Sequence, residues 1–86
     1  MDNIDKKIAL VTAITELAID ITNNTEADVF VDYSGHVNSL YVKVFLKGWT
    51  PEYLKHDLYK ILYLERDNVN ELQEIIDYLK AIKEEN

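Results

Sequence analysis

The chain has 86 residues, enough for one domain with one modest core, and its 48% hydrophobic and 29% charged content is that of a folded protein. No cysteine is present, which excludes a disulfide framework, a thiolate metal site and a thiol nucleophile. Nine basic against sixteen acidic side chains give a net charge of −7, which argues against duplex DNA, RNA or an anionic membrane as a direct ligand.

The N-terminal Met-Asp-Asn-Ile-Asp-Lys-Lys lacks the layout of a secretion signal, and no stretch has the length of a membrane span, so a cytoplasmic protein is expected. Residues 4–22 carry an amphipathic helical pattern through Ile4, Ile8, Val11, Ile14, Ala18 and Ile21, with Leu10 and Leu17 widening the stripe. Asp2 or Asn3 suits its start, and Asn23 or Asn24 a left-handed stop. Glu16 and Asp20 fall on the opposite face, four residues apart with no cation close in sequence.

Two strands are expected at Ala27–Tyr33 and Ser39–Lys47, with Gly35 supplying a positive φ in the connection. In the second, Leu40, Val42, Val44 and Leu46 share the face that should meet the helices. Tyr41, Lys43, Phe45 and Lys47 share the other, an alternation of aromatics and lysines where solvent is expected, and Phe30 and Asp32 extend it. Trp49 reads as a lid on one end of the core or, alternatively, as an interface anchor, with the lid favoured.

Thr50-Pro51-Glu52 is a helix-start signal, and Leu54, Leu58, Ile61 and Leu62 suit a helix running from Pro51 to Glu65. A third strand over Leu58–Leu64, with Tyr59, Ile61 and Tyr63 on one face, is favoured because two strands alone make a poor sheet. Lys60 is then the misfit among Leu58, Leu62 and Leu64. Asn68–Glu84 is a second helix, opened by a capping box of Asn68 and Glu71, with Leu72, Ile75, Ile76, Leu79 and Ile82 as its stripe. The expected fold is a single α+β domain, α-β-β-β-α, with two helices on one face of an antiparallel three-stranded sheet.

That order of elements resembles the double-stranded-RNA-binding domain, whose last helix begins with a phosphate-gripping lysine cluster. Here the matching stretch is Asp67-Asn68-Val69-Asn70-Glu71, so the resemblance extends to topology and not to function. The run Phe30-Val31-Asp32-Tyr33-Ser34-Gly35-His36-Val37-Asn38-Ser39-Leu40, with Gly48-Trp49 and Tyr63-Leu64, resembles small accessory proteins of phages and prophages in Gram-positive bacteria. The resemblance implies a protein acting inside a bacterial cell. Several proteins of that kind, some anti-CRISPR proteins among them, work by occupying a nucleic-acid-binding surface.

Chemistry-bearing residues are sparse. His36, with Asp32, Ser34 and Ser39 near it in sequence, has no glycine-rich oxyanion loop or nucleophile elbow beside it, so no enzyme is expected. Asp32 and His36 supply two metal ligands where three or four are needed, and no cofactor motif is present. The charge is uneven. From Ile8 to Val42 there is no Lys or Arg, while Glu16, Asp20, Glu26, Asp28 and Asp32 all fall there. The expected activity is therefore protein binding, with these five acids docking on a basic surface of a host protein such as a defence nuclease. The alternative is a homo-oligomeric structural protein, a homodimer in the simplest case, using the sheet face of Phe30, Tyr41, Lys43 and Phe45.

Overall fold

The computed structural model describes residues 3–52, 55–66 and 68–85. Helix α1 (Asn3–Asn24) is followed by strands β1 (Asp28–Ser34), β2 (Ser39–Phe45) and β3 (Leu58–Tyr63), and then by helix α2 (Val69–Glu85). The strands form one antiparallel sheet in the order β1-β2-β3, so the expected α-β-β-β-α fold is the one adopted. Among the described residues no helix is long and apolar enough to cross a membrane.

Central β2 shows why one side of the sheet is covered. Its Leu40, Val42 and Val44 are fully buried, and they join Leu62 and Leu64 from the β3 side. With Ile14 and Ile21 of α1 and Leu72, Ile75, Ile76, Leu79 and Ile82 of α2 they form one core. α1 packs on β1 and on α2, while α2 borders β3. Both helices thus lie on the same face.

The buried line of α1 is Lys7, Ile14, Ala18 and Ile21, with Leu10, Ala13 and Leu17 half-buried beside it. Ile4 and Ile8, expected in the stripe, are 38% and 58% exposed. Packing against α2 rotates the buried face towards Leu10 and Leu17 and leaves those two isoleucines on the β1 side.

Lys7 replaces them in the interior. The residue is only 6% exposed, and its ammonium donates to the carbonyls of Leu64 at 2.6 Å and Arg66 at 2.5 Å. A buried ammonium needs such acceptors. It fastens the first helix to the turn that launches the last one.

The chain reversals also differ from expectation. The positive φ of the β1–β2 connection belongs to Asn38 (φ 51°) and not to Gly35; the Asn38 amide oxygen accepts from the Tyr33 hydroxyl at 2.7 Å. Neither Asn23 nor Asn24 has a positive φ, and their side chains donate back to the carbonyls of Ile19 and Asp20. The stop of α1 is made by Thr25, whose amide and hydroxyl both donate to the Ile21 carbonyl. Asn3 lies in the first turn of α1, and Asp2 is outside the described residues.

β2 ends at Phe45, two residues early, because Gly48 (φ 85°) turns the chain and donates to the Phe45 carbonyl. Leu46 is therefore 38% exposed instead of facing the helices. A Cβ on Gly48 would stand 3.1 Å from the Glu26 carbonyl, so the turn requires glycine on two counts. Thr50, Pro51 and Glu52 are not helical, and Tyr53 and Leu54 lie outside the described residues. Asp57 closes this connection: its carboxylate accepts from the Leu46 amide at 2.7 Å and its amide donates to the Val44 carbonyl at 2.8 Å.

The third strand forms over Leu58–Tyr63, and Lys60 points with Leu58 and Leu62 as anticipated. Its place at the sheet edge accounts for the misfit, since it borders a cleft with Glu71 and Glu74 of α2. The capping box of Asn68 and Glu71 is absent. Asn68 is buried with its amide nitrogen donating to the Tyr63 carbonyl at 2.7 Å, and its oxygen has no partner. The side chain is committed to ending β3.

Replacing Lys7 by Met removes two charge-assisted hydrogen bonds and strands two carbonyls, a loss of roughly 2–3 kcal/mol. Urea unfolding of Lys7→Met beside the exposed-site control Lys6→Met measures it; equal stability of the two variants would rule out this role for Lys7.

Candidate functional site

Register determines what the uncovered side of the sheet presents. Phe30, Lys43 and Tyr59 form one row across the three strands, and Asp32, Tyr41 and Ile61 the next. Ser34, Ser39 and Tyr63 form a third, and Asp28 and Phe45 begin a fourth. Phe30, Tyr59, Ile61 and Tyr63 are each between 40% and 43% exposed, a group of large side chains with no helix or strand over it among the described residues. Their grouping on one face makes it the candidate docking surface.

The aromatics are held by one another and by cations. Tyr41 and Tyr59 meet edge to face at 5.1 Å between ring centroids, and His56 stands 5.1 Å from Tyr59. The Lys43 ammonium is 5.3 Å from the Tyr41 centroid, 5.7 Å from Phe45 and 6.0 Å from Tyr59. No carboxylate pairs with it among the described residues, so ring faces carry that charge. At the far corner the Arg66 guanidinium lies 5.1 Å from the Tyr63 ring. The result is a rigid aromatic floor with its cations already engaged.

Of the four residues expected on this face, Phe30, Tyr41 and Lys43 take part with some exposure, but Phe45 is only 2% exposed. The Phe30 ring meets it edge to face at 5.7 Å between centroids, and the Lys43 ammonium lies 5.7 Å from the Phe45 centroid. Phe45 supports the face from beneath and offers no contact surface. Tyr59, Ile61, Tyr63 and Arg66 supply what Phe45 does not. The alternation of the first three was visible in the sequence, but their side of the sheet follows only from pairing with β2.

The five acids do not converge. Glu16 is exposed on α1, on the helix-covered side of the molecule, whereas Asp32 is exposed on the opposite side, within the aromatic rows. Glu26 is exposed in the link between α1 and β1. Asp28 accepts the Trp49 amide at 2.7 Å and so holds the segment after β2. Asp20 has a cation partner after all, Lys83 of α2 at 2.6 Å, and it also accepts from Asn24 at 2.7 Å. Two of the five are thus fastenings of the fold.

Trp49, expected as a core lid, is 47% exposed. His36 is exposed in the turn after β1, and no hydrogen bond joins it to Asp32, Ser34 or Ser39; Ser39 is itself buried. Among the described residues no group of three or more His, Asp or Glu side chains is placed to hold a metal ion.

The Lys83 hydrogen bond, and next the Asn24 amide, hold the Asp20 carboxyl below the usual aspartate range. A depressed folded-state pKa means that the bond's contribution is present above the ordinary aspartate range and is lost as pH falls through the lower folded value. An NMR titration should show Asp20 with a low midpoint that Lys83→Met raises towards the ordinary range. An unmoved midpoint would mean that the pair does not persist in solution. No family model, curated protein or solved structure matches this chain.

Proposed function

We propose that this is a non-catalytic binding protein that docks its open aromatic sheet face on a basic surface of another protein, of the kind that holds nucleic acid. The observation that carries the reading is the uncovered patch of Phe30, Tyr59, Ile61 and Tyr63, fixed in place by Tyr41 and Lys43. Tyrosine-rich, pre-organised patches make good anchors because little side-chain freedom is lost on contact. The net charge of −7 supports a basic partner, since it draws such a surface in and repels nucleic acid itself. Asp32 stands inside the patch, so one carboxylate lies among the aromatics. The resemblance to phage accessory proteins supports this mode of action, with a bacterial host cell as the proposed setting.

A homodimer through the same face is the second reading, and its size weighs against it. Three strands about 4.8 Å apart and six or seven residues long give a face of roughly 14 by 22 Å, or about 300 Å². A stable complex buries about 800 Å² on each partner. The sheet face alone therefore falls short of a self-sufficient dimer, whereas a larger partner can extend its contact beyond that face.

The test combines light scattering with capture from host lysate, comparing the native chain with a Tyr59→Ser, Ile61→Ser, Tyr63→Ser variant. The expected outcome is a monomer that retains a specific basic protein, with retention falling as salt rises and lost in the folded triple variant. Equal capture by the variant would refute the sheet-face assignment. A salt-resistant dimer that the triple substitution dissolves would establish the homo-oligomer instead.

A further inference from the structure

The sheet also has an open edge. The Val29 amide turns away from β2 and donates to the Thr22 hydroxyl at 3.0 Å. Because an antiparallel strand alternates its partners, the amides of Val31 and Tyr33 turn towards the same free edge. Thr22 occupies the first of these donors; the edge beyond it carries no further strand.

Beside that edge α1 presents apolar side chains that its packing on α2 leaves over. Ile8 and Ile19 are 58% and 61% exposed. They are eleven residues apart, which brings them to nearly the same angle on the helix and about 16 Å apart along it. Ile19 borders a cleft with Val29 and Val31, and Ile8 borders another with Tyr33 and Leu64. Together the clefts run beside β1 for the length of about five residues of extended chain.

Charge specifies what fits there. Asp32 is exposed on the outer side of the same edge strand, Asp28 stands on that side with its carboxylate already engaged by the Trp49 amide, and no Lys or Arg occurs from Ile8 to Val42. A strand added to β1 would place alternate side chains in the apolar clefts and the intervening ones beside these carboxylates. We propose that the β1 edge is a second binding site, which takes an extended peptide segment of alternating apolar and basic residues by strand addition. A second copy of this chain is a poor occupant, since its own β1 would bring another Asp28 and Asp32 alongside and like charges on neighbouring strands repel.

The probe is a blocked synthetic peptide of about seven residues alternating lysine and valine, long enough to span the edge. Titrated into the full chain, it should give saturable NMR shifts at the Val31 and Tyr33 amides. Val31→Pro removes a donor from the free edge without touching the β2 ladder and should weaken binding by about 10-fold or more. Asp32→Lys should weaken it similarly while leaving the edge donors intact, and it decides the matter if the proline variant does not fold. A peptide with glutamate in place of lysine should not bind.

Four results would each overturn the proposal: no saturable binding, equal affinity for the glutamate peptide, undiminished binding by both folded variants, or shifts confined to Tyr59, Ile61 and Tyr63. A native dimer that Val31→Pro converts to monomer would overturn it in favour of a second copy. The sheet-face variant of the preceding section leaves β1 intact, so failure at one site is distinguishable from failure at the other.

Discussion

A three-stranded sheet has two faces, and this chain has helices enough for one. Everything distinctive about the molecule follows from that asymmetry. On the covered side Leu40, Val42, Val44 and Leu62 meet α1 and α2 in a continuous apolar interior. On the other side Phe30, Tyr41, Tyr59, Ile61 and Tyr63 stand in rows with no helix or strand above them among the described residues. Such a face is kept in order by contacts within its own plane, and here these are aromatic edges and the ammonium of Lys43. The arrangement leaves the rings fixed and still available, which is what recognition asks of a surface.

Charged residues contribute to the fold in places where their type suggests only solvent. Lys7 sits in the core line of α1 and joins it to the turn before α2. Asp57 and Asp28 hold the segment between β2 and β3 by accepting the amides of Leu46 and Trp49. Asp20 ties the two helices through Lys83. Small domains have little apolar area to close their loops, and carboxylates accepting backbone amides do that work by charge-assisted hydrogen bonding. The acids left over, Glu16, Glu26 and Asp32, are spread over the molecule and act as a field more than as a contact.

The order of elements and the third strand were legible because period-two alternation at Tyr59, Ile61 and Tyr63 is a local property of the chain. The pairing that puts those residues beside Tyr41 and Lys43 is not local, and so the most exposed half of the candidate face escaped notice. Phe45 illustrates the reverse error: alternation correctly predicts its side of the sheet but carries no information about the Phe30 ring that meets it. Lys7 was readable in principle, since it lies two turns before Ile14 on the same line; hydrophobic periodicity discards a lysine at such a position. The acids of α1 and β1 were visible as a run in sequence, but a helix on one face and a strand side chain on the other send neighbours in sequence to opposite sides of the molecule.

The position of Lys7 bears on how the chain comes to be folded. Its acceptors lie 57 and 59 residues further along, and the core needs Leu72, Ile75, Leu79 and Ile82 from α2. Until α2 is available the β1–β2 hairpin lacks half of its cover, and Lys7 lacks the fold that brings its acceptors to it. Contacts of such long sequence separation form together, so the domain is expected to fold as one cooperative unit and not progressively from α1.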